Sequence, residues 1–242
     1  RLADAEAGGT LLSYDVEAAP AALFDTTGMG GKGDATLAAV REAGPAARGF
    51  LSAGSGMDKA RALQCLATAI YYEAASESLD GQRAVAQVVL NRVAHPSYPN
   101  SVCGVVYQGS ERKTGCQFSF TCDGSLRRVP SATGMARARM IAGEALAGSV
   151  FAPVGLATHY HTIWIYPYWA PSLAHIGTIG AHRFYKWRGN AGRPEAFRSA
   201  YLGGEPVAAP NARRTEDYAT DAADPVALAR IFDEARRQAE SE

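Results

Sequence analysis

The chain has 242 residues, 24 Lys+Arg against 24 Asp+Glu for a formal net charge of zero, and 47% hydrophobic residues. That length holds one or two domains with a sizeable core, and the balanced charge gives no electrostatic case for nucleic acid or an anionic membrane. No run of about 18 apolar residues reads as a bilayer span, and a charged fraction of 20% argues against a disordered chain.

The zero is a sum of unlike parts. Residues 1–58 carry four basic and eight acidic groups, 59–187 carry twelve and six, and 188–242 carry eight and ten. The middle is a basic segment between acidic flanks.

Residues 1–56 are rich in Ala and Gly, with Gly28, Gly30, Gly31 and Gly33 breaking any periodicity, and read as an N-terminal arm or linker. Residues 1–30 lack the basic and apolar regions of a signal peptide. The chain begins at Arg1 rather than Met, which reads as a trimmed chain and leaves room for an upstream signal or membrane anchor.

Periodicity starts at Met57. Leu63, Leu66, Ala67, Ile70, Tyr71 and Ala74 recur at helical spacing, which predicts a helix over 58–76 with Asp58 as N-cap. After a break at Ser76–Asp80, Val85, Val88, Val89 and Val93 line a second helix that Ser78 or Asp80 caps and His95-Pro96 ends. The short connection makes an αα-hairpin. Residues 96–130 read as loops with a short strand near Gln117-Phe118-Ser119-Phe120, and 131–148 as a third helix stopped by Gly148. Residues 154–187 are rich in β-branched and aromatic residues and predict a hairpin or irregular strands. The C-terminal extension 188–242 is loop, then a short helix over 225–238 opened by Asp224-Pro225.

Cysteines stand at 65, 103, 116 and 122, none at CxxC spacing, which weighs against a zinc knuckle. Three pairings are open. Cys116 and Cys122 flank a short loop, and Cys65 on the first helix is placed to staple the Cys103 loop; two disulfides are preferred over buried thiols and imply an oxidising compartment. His159 and His161 share a strand face, as a zinc site would require, but no Asp or Glu between 145 and 187 completes a ligand set. Hydrogen-bonded histidines in an aromatic-rich groove are the preferred reading, with no metal.

Among the six acids of 59–187, Glu73 stands out. It lies three residues after Ile70, near the edge of the apolar stripe and the negative end of the helix dipole. Partial burial and the dipole both raise a carboxyl pKa, as a general acid near neutral pH needs. The alternative is that Glu73 pairs with Arg83 or Arg92, or faces solvent. Glu77, one turn on, reads as a solvated terminal residue ahead of a supporting partner.

Glu73-Ala74-Ala75-Ser76-Glu77, then Gly81-Gln82 opening a helix that ends in Leu90-Asn91-Arg92-Val93, resembles the SleB-type cell wall hydrolases, the spore-cortex-lytic enzyme family. Val106-Tyr107-Gln108, Cys116-Gln117-Phe118-Ser119-Phe120, Thr158-His159-Tyr160-His161, Pro167-Tyr168-Trp169 and Ile179-Gly180 with Phe184-Tyr185 follow in the family's order. Ser76 and Ser78 depart from the spore enzymes' usual residues. The resemblance implies an α+β, mainly α, lysozyme-like catalytic domain over 57–187, containing the αα-hairpin and a small β region. It implies a lytic-transglycosylase-like enzyme that cuts the β-1,4 bond between N-acetylmuramic acid and N-acetylglucosamine in peptidoglycan glycan strands. The catalytic acid falls on Glu73. Gln117, Tyr160 and His161 are expected to hydrogen-bond the sugars, and Phe118 and Trp169 to stack on them. No cofactor is implied, and the location is periplasm, cell envelope or secreted. The rival readings are a water-using muramidase, a zinc amidase built on His159 and His161, and a catalytically silent glycan-binding protein.

Overall fold

A computed structural model describes residues 43–112 and 115–211. Residues 1–42 of the expected arm over 1–56, and the expected helix over 225–238, lie outside the described residues.

The first helix, α1, runs Gly56–Ala74. Its N-cap is Ser55, not Asp58: the Ser55 side chain accepts from Asp58 N, and the Asp58 carboxylate takes the Ser55 N–H at 2.8 Å. The pair forms a capping box, in which Asp58 serves as the third helical residue. These bonds to Ser55 hold the Asp58 carboxyl down to about 2. The second helix, α2, runs Leu79–Ala94 and is capped by Ser78. A five-residue helix α3 (Val102–Val106) and single helical turns at Ser119–Thr121 and Ser125–Arg127 occupy the stretch expected to be loops and a short strand. Ser101 caps α3, and Cys65 and Cys116 bond Cys103 and Cys122 respectively, so local caps and covalent ties stand in for strand pairing there. Helix α4 covers Ala132–Leu146.

Three strands follow: β1 (His159–Thr162), β2 (Ala174–Ile179) and β3 (His182–Lys186). They form an antiparallel sheet in the order β1-β3-β2. The result is a mainly helical α+β architecture with one small sheet, in the class the sequence implied. Tyr160 pairs with Phe184 and His161 with Arg183, and a bulge falls between His175 and Gly177 on β2.

Helix α2 is the centre of the molecule. Ala86, Val89, Leu90 and Val93 join the larger core with α1, α3 and α4, while Ala84 and Val88 join a second core under the sheet with Ile176 and Phe184. A helix packed on two sides must bury polar groups as well, and these need partners. Gln87 Nε2 donates to Asn91 Oδ1 at 3.0 Å, and Gln87 Oε1 accepts from Phe151 N at 2.8 Å. Asn91 Nδ2 donates to the carbonyls of Gly155 (3.0 Å) and Ala157 (2.8 Å). Arg92 Nε donates to Thr158 O at 2.7 Å. The Asn-Arg pair of the motif therefore tethers the chain that leads into β1. Gly155, at φ +44°, lies so close to Ala43 that a Cβ would stand 2.7 Å from its carbonyl oxygen.

The packed core does not stop at residues 57 and 187. Ala43 is fully buried, Phe50 meets Tyr201 with ring centroids 4.7 Å apart, and Glu205 is 3% exposed. Glu205 Oε1 and Oε2 accept from Val102 N and Cys103 N, both at 2.8 Å, and so cap α3. Arg61 Nη1 donates to Glu205 O, and Glu205 N to Asp58 Oδ1. Glu205→Ala strips two buried N–H groups of their acceptor and is expected to cost roughly 2–4 kcal/mol. Urea unfolding checks this; a loss below about 0.5 kcal/mol contradicts the capping role.

Candidate active site

Glu73 sits one residue before the end of α1, half-buried. Its Oε2 accepts the Tyr160 hydroxyl at 2.9 Å across 87 residues of sequence. Burial raises the Glu73 carboxyl above its ordinary value; the Tyr160 bond and the Arg92 charge pull it down, and the Asp123 carboxylate pushes it up. The group is therefore biased toward its neutral, proton-donating form, as a general acid requires. Burial and then the Glu73 charge push the Tyr160 phenol well above its usual value, so Tyr160 stays a donor.

Arg92 is the buried cation of the site, 3% exposed. Besides Thr158 O, it meets Gln117: with the carboxamide oxygen turned toward the guanidinium, that oxygen accepts from Nη1 and Nη2 at 3.1 and 3.2 Å. The guanidinium carbon lies 5.3 Å from the centre of the Phe118 ring and 5.6 Å from that of Tyr98. Arg92 links the segment after Cys116 to the chain entering β1. From sequence it is a pairing alternative for Glu73 and part of the Leu90-Asn91-Arg92-Val93 motif. Its signal was a polar pair, Asn91-Arg92, inside an otherwise apolar helix.

Glu77 is not a solvated terminal residue. Its Oε1 accepts Ala181 N at 3.1 Å and lies 3.5 Å from His182 Nδ1, with side chains 12% and 5% exposed. Gly180, at φ +56°, packs directly on this carboxylate, where a Cβ would overlap it. Glu77 thus holds the β2–β3 turn, and the His182 ring in turn meets the Tyr160 ring edge-on at 5.1 Å. Burial lowers the His182 pKa although Glu77 opposes this.

The remaining expected sugar contacts divide. Phe118 is 2% exposed and packs beneath Arg92 and beside Phe120, so it offers no face for stacking. His161 is 4% exposed; Nδ1 pairs with Thr162 O and Nε2 with the Tyr185 hydroxyl, each at 2.8 Å. Successive strand residues face opposite sides, so Tyr160 turns to Glu73 while His161 joins Trp169 and Tyr185 on the far face. Trp169 is partly buried in that cluster, against His159 at 5.3 Å and Tyr185 at 5.6 Å. Of the residues named from sequence, Glu73 and Tyr160 meet directly, and Gln117 reaches them through Arg92.

His159 lies on the same face as His161. Its Nδ1 pairs with Thr158 Oγ1 at 2.9 Å, and burial, Arg92 and His95 push its pKa down to about 3. Among the described residues, no three His, Cys, Asp or Glu side chains gather as a metal-ligand set, which leaves the zinc-amidase reading without a third ligand beside these two rings.

Residues 76–185 match the family model described as Cell Wall Hydrolase. The match begins three residues after Glu73 and includes Glu77, Arg92, Gln117 and Tyr160. The chain is 35% identical over 128 residues to the spore cortex-lytic enzyme of Halalkalibacterium halodurans, spanning 50% of this chain and 34% of that protein. It is 33% identical over 132 residues to that of Bacillus cereus, spanning 51% and 44%. The chain thus spans less than half the length of these curated relatives. The solved catalytic domain of Bacillus cereus SleB is 30% identical, with a TM-score of 0.44, over 56% of this chain and 95% of that one. That of the Bacillus anthracis germination-specific lytic transglycosylase SleB is 31% identical, with a TM-score of 0.43, over 52% and 94%. The matched segment is a cell wall hydrolase domain. Through it the chain is similar to the SleB-type cell wall hydrolases.

Proposed function

We propose that this chain cleaves peptidoglycan as a lytic transglycosylase, with Glu73 as its catalytic residue. The observation that carries the reading is the half-buried Glu73 carboxyl, shifted toward its neutral form and held by Tyr160. The names of the relatives, spore cortex-lytic enzymes and a lytic transglycosylase, agree with it.

In this mechanism protonated Glu73 donates to the oxygen bridging N-acetylmuramic acid and N-acetylglucosamine. The C1–O bond breaks, the leaving sugar departs as an alcohol, and positive charge develops at C1 of the muramic acid. The Glu73 carboxylate then takes the proton of that sugar's C6 hydroxyl, and O6 closes on C1. The product is a 1,6-anhydro sugar, and Glu73 is reprotonated for the next turnover. Intramolecular attack replaces a bound water and gains from proximity. Gln117, through Arg92, is tied to Thr158 at the entrance to the strand that carries Tyr160.

A second reading is favoured by Asp123. This exposed carboxylate, held low by Ser125, acts on Glu73 through space. It is the group a two-carboxylate muramidase would use to activate water. Muropeptides released from purified peptidoglycan decide between them by mass spectrometry. Anhydro ends support the transglycosylase; reducing ends that vanish in Asp123→Asn support the muramidase.

Tyr160→Phe removes a bond that favours the ionised carboxylate, so the Glu73 pKa rises further. The basic limb of kcat/KM against pH is expected to move to higher pH. A move to lower pH contradicts the placement of Tyr160. The two disulfides suit a periplasmic or extracellular site of action. No helix among the described residues is long and apolar enough to cross a membrane.

A further inference from the structure

Two carboxylates meet one face of the sheet. Strand β3 pairs Phe184 with Tyr160 and His182 with Thr162, so Tyr160 and His182 are diagonal neighbours on the face turned to the C-terminal end of α1. Glu73 Oε2 takes the Tyr160 hydroxyl at 2.9 Å, and Glu77 Oε1, four residues on, stands 3.5 Å from His182 Nδ1. That nitrogen is buried and makes no hydrogen bond among the described residues. The His182 ring meets the Tyr160 ring at 89°, with centroids 5.1 Å apart. These four side chains close a circuit that leaves the end of α1 through Glu77, crosses two strands and returns at Glu73.

Glu77 is itself fixed at several points outside the circuit. Its N–H donates to Ala74 O at 3.0 Å, its carbonyl accepts from Gln82 Nε2 at 3.1 Å, and Oε1 also accepts Ala181 N at 3.1 Å. Gly180 lies against the carboxylate with no room for a Cβ. One hydrogen bond at the tip of a phenol leaves the ring free to swing, whereas an edge contact from a second ring that is itself held removes that freedom. We propose that Glu77 is a positioning residue: through His182 it holds the Tyr160 ring so that the hydroxyl stays on Glu73 Oε2 and the Glu73 carboxyl keeps one aim. The end of α1 then presents two carboxylates with different work, one that reacts and one that orients. This inference rests on the peptidoglycan-cleaving reading. It adds to that reading a residue that acts on the reaction only through others.

The test is a double-mutant cycle in the full chain on solubilised peptidoglycan strands, with each variant first shown to melt cooperatively. Glu77→Ala and Tyr160→Phe are each expected to lower kcat by about 10–10²-fold with KM unchanged, the effect of a misplacement on the order of 1 Å. The double variant is expected to lie within about threefold of the slower single one, because both act through the same hydroxyl. Glu77→Gln keeps an accepting oxygen for Ala181 N and is expected to restore kcat to within about threefold of wild type. His182→Leu leaves the bond from Ala181 to Glu77 in place and is expected to match Glu77→Ala, so the answer does not depend on the Ala variant folding. In parallel, NMR of ring-labelled tyrosine is expected to show the Tyr160 signals moved in Glu77→Ala and restored in Glu77→Gln. Losses that multiply in the double variant, or an unchanged kcat in His182→Leu, overturn the positioning role. Moved Tyr160 signals in a protein whose wild type cuts no peptidoglycan overturn the cleavage reading and leave the hold of Glu77 on Tyr160 standing.

Discussion

Glu73→Gln is expected to lower peptidoglycan cleavage by about 10²–10⁴-fold, the usual contribution of a positioned general acid. Gln is isosteric and still accepts the Tyr160 hydroxyl, but it cannot give a proton. The substitution is not expected to destabilise the fold. Burial raises the Glu73 pKa above its unfolded value, so the folded state disfavours the ionised carboxylate. Below the unfolded pKa the group is protonated in both states and costs nothing. As pH rises through the raised folded pKa, the cost appears in full. Glu73→Gln should therefore match or exceed the wild-type melting temperature at pH 7, with the gain shrinking toward pH 4. Activity retained within tenfold, with the same products, removes Glu73 from the mechanism. A melting temperature that falls at pH 7 shows that burial does not disfavour its charge.

Replacing both Cys65 and Cys103 with Ala is expected to cost about 4 kcal/mol, since the bond closes a loop with a sequence separation of 38. It ties α1 to α3 in the larger core, beside the Glu205 cap. Guanidinium unfolding reads the loss; a change below about 1 kcal/mol means that packing alone holds α3 in place. The Cys116–Cys122 bond closes a separation of only 6, and its removal should cost nearer 2 kcal/mol. Its effect on activity should be the larger of the two, because Gln117, which meets Arg92, and Asp123 directly follow its two cysteines.

These two expectations differ in how they were reached. The position of Glu73 at the edge of the apolar stripe was legible because helical periodicity is local, and its proposed role as catalytic acid came from the order of the family motifs. The pairing of the cysteines was left open because it joins segments whose separation carries no such rule. The rest of the site shows the same division. Expecting both Tyr160 and His161 to touch sugar overlooked the strand alternation that had already placed His159 and His161 together. Glu77 looked solvated because the turn at Gly180-Ala181 that it holds lies 104 residues away. Phe118 looked available to sugar because an aromatic in a loop carries no signal of the buried Arg92 above it.

The sequence by itself determined the helices α1, α2 and α4, the resemblance to a family, and the carboxyl set at the end of the first helix. Each depends on contacts within a few residues or on motifs read in order. Only the tertiary structure decided the partners: Tyr160 on Glu73, Arg92 between Thr158 and Gln117, Glu77 on the β2–β3 turn, and Glu205 on α3. The physical reason is that a buried polar group must find a partner wherever the chain brings one, and α2, packed on both sides, buries more of them than its own helix can satisfy.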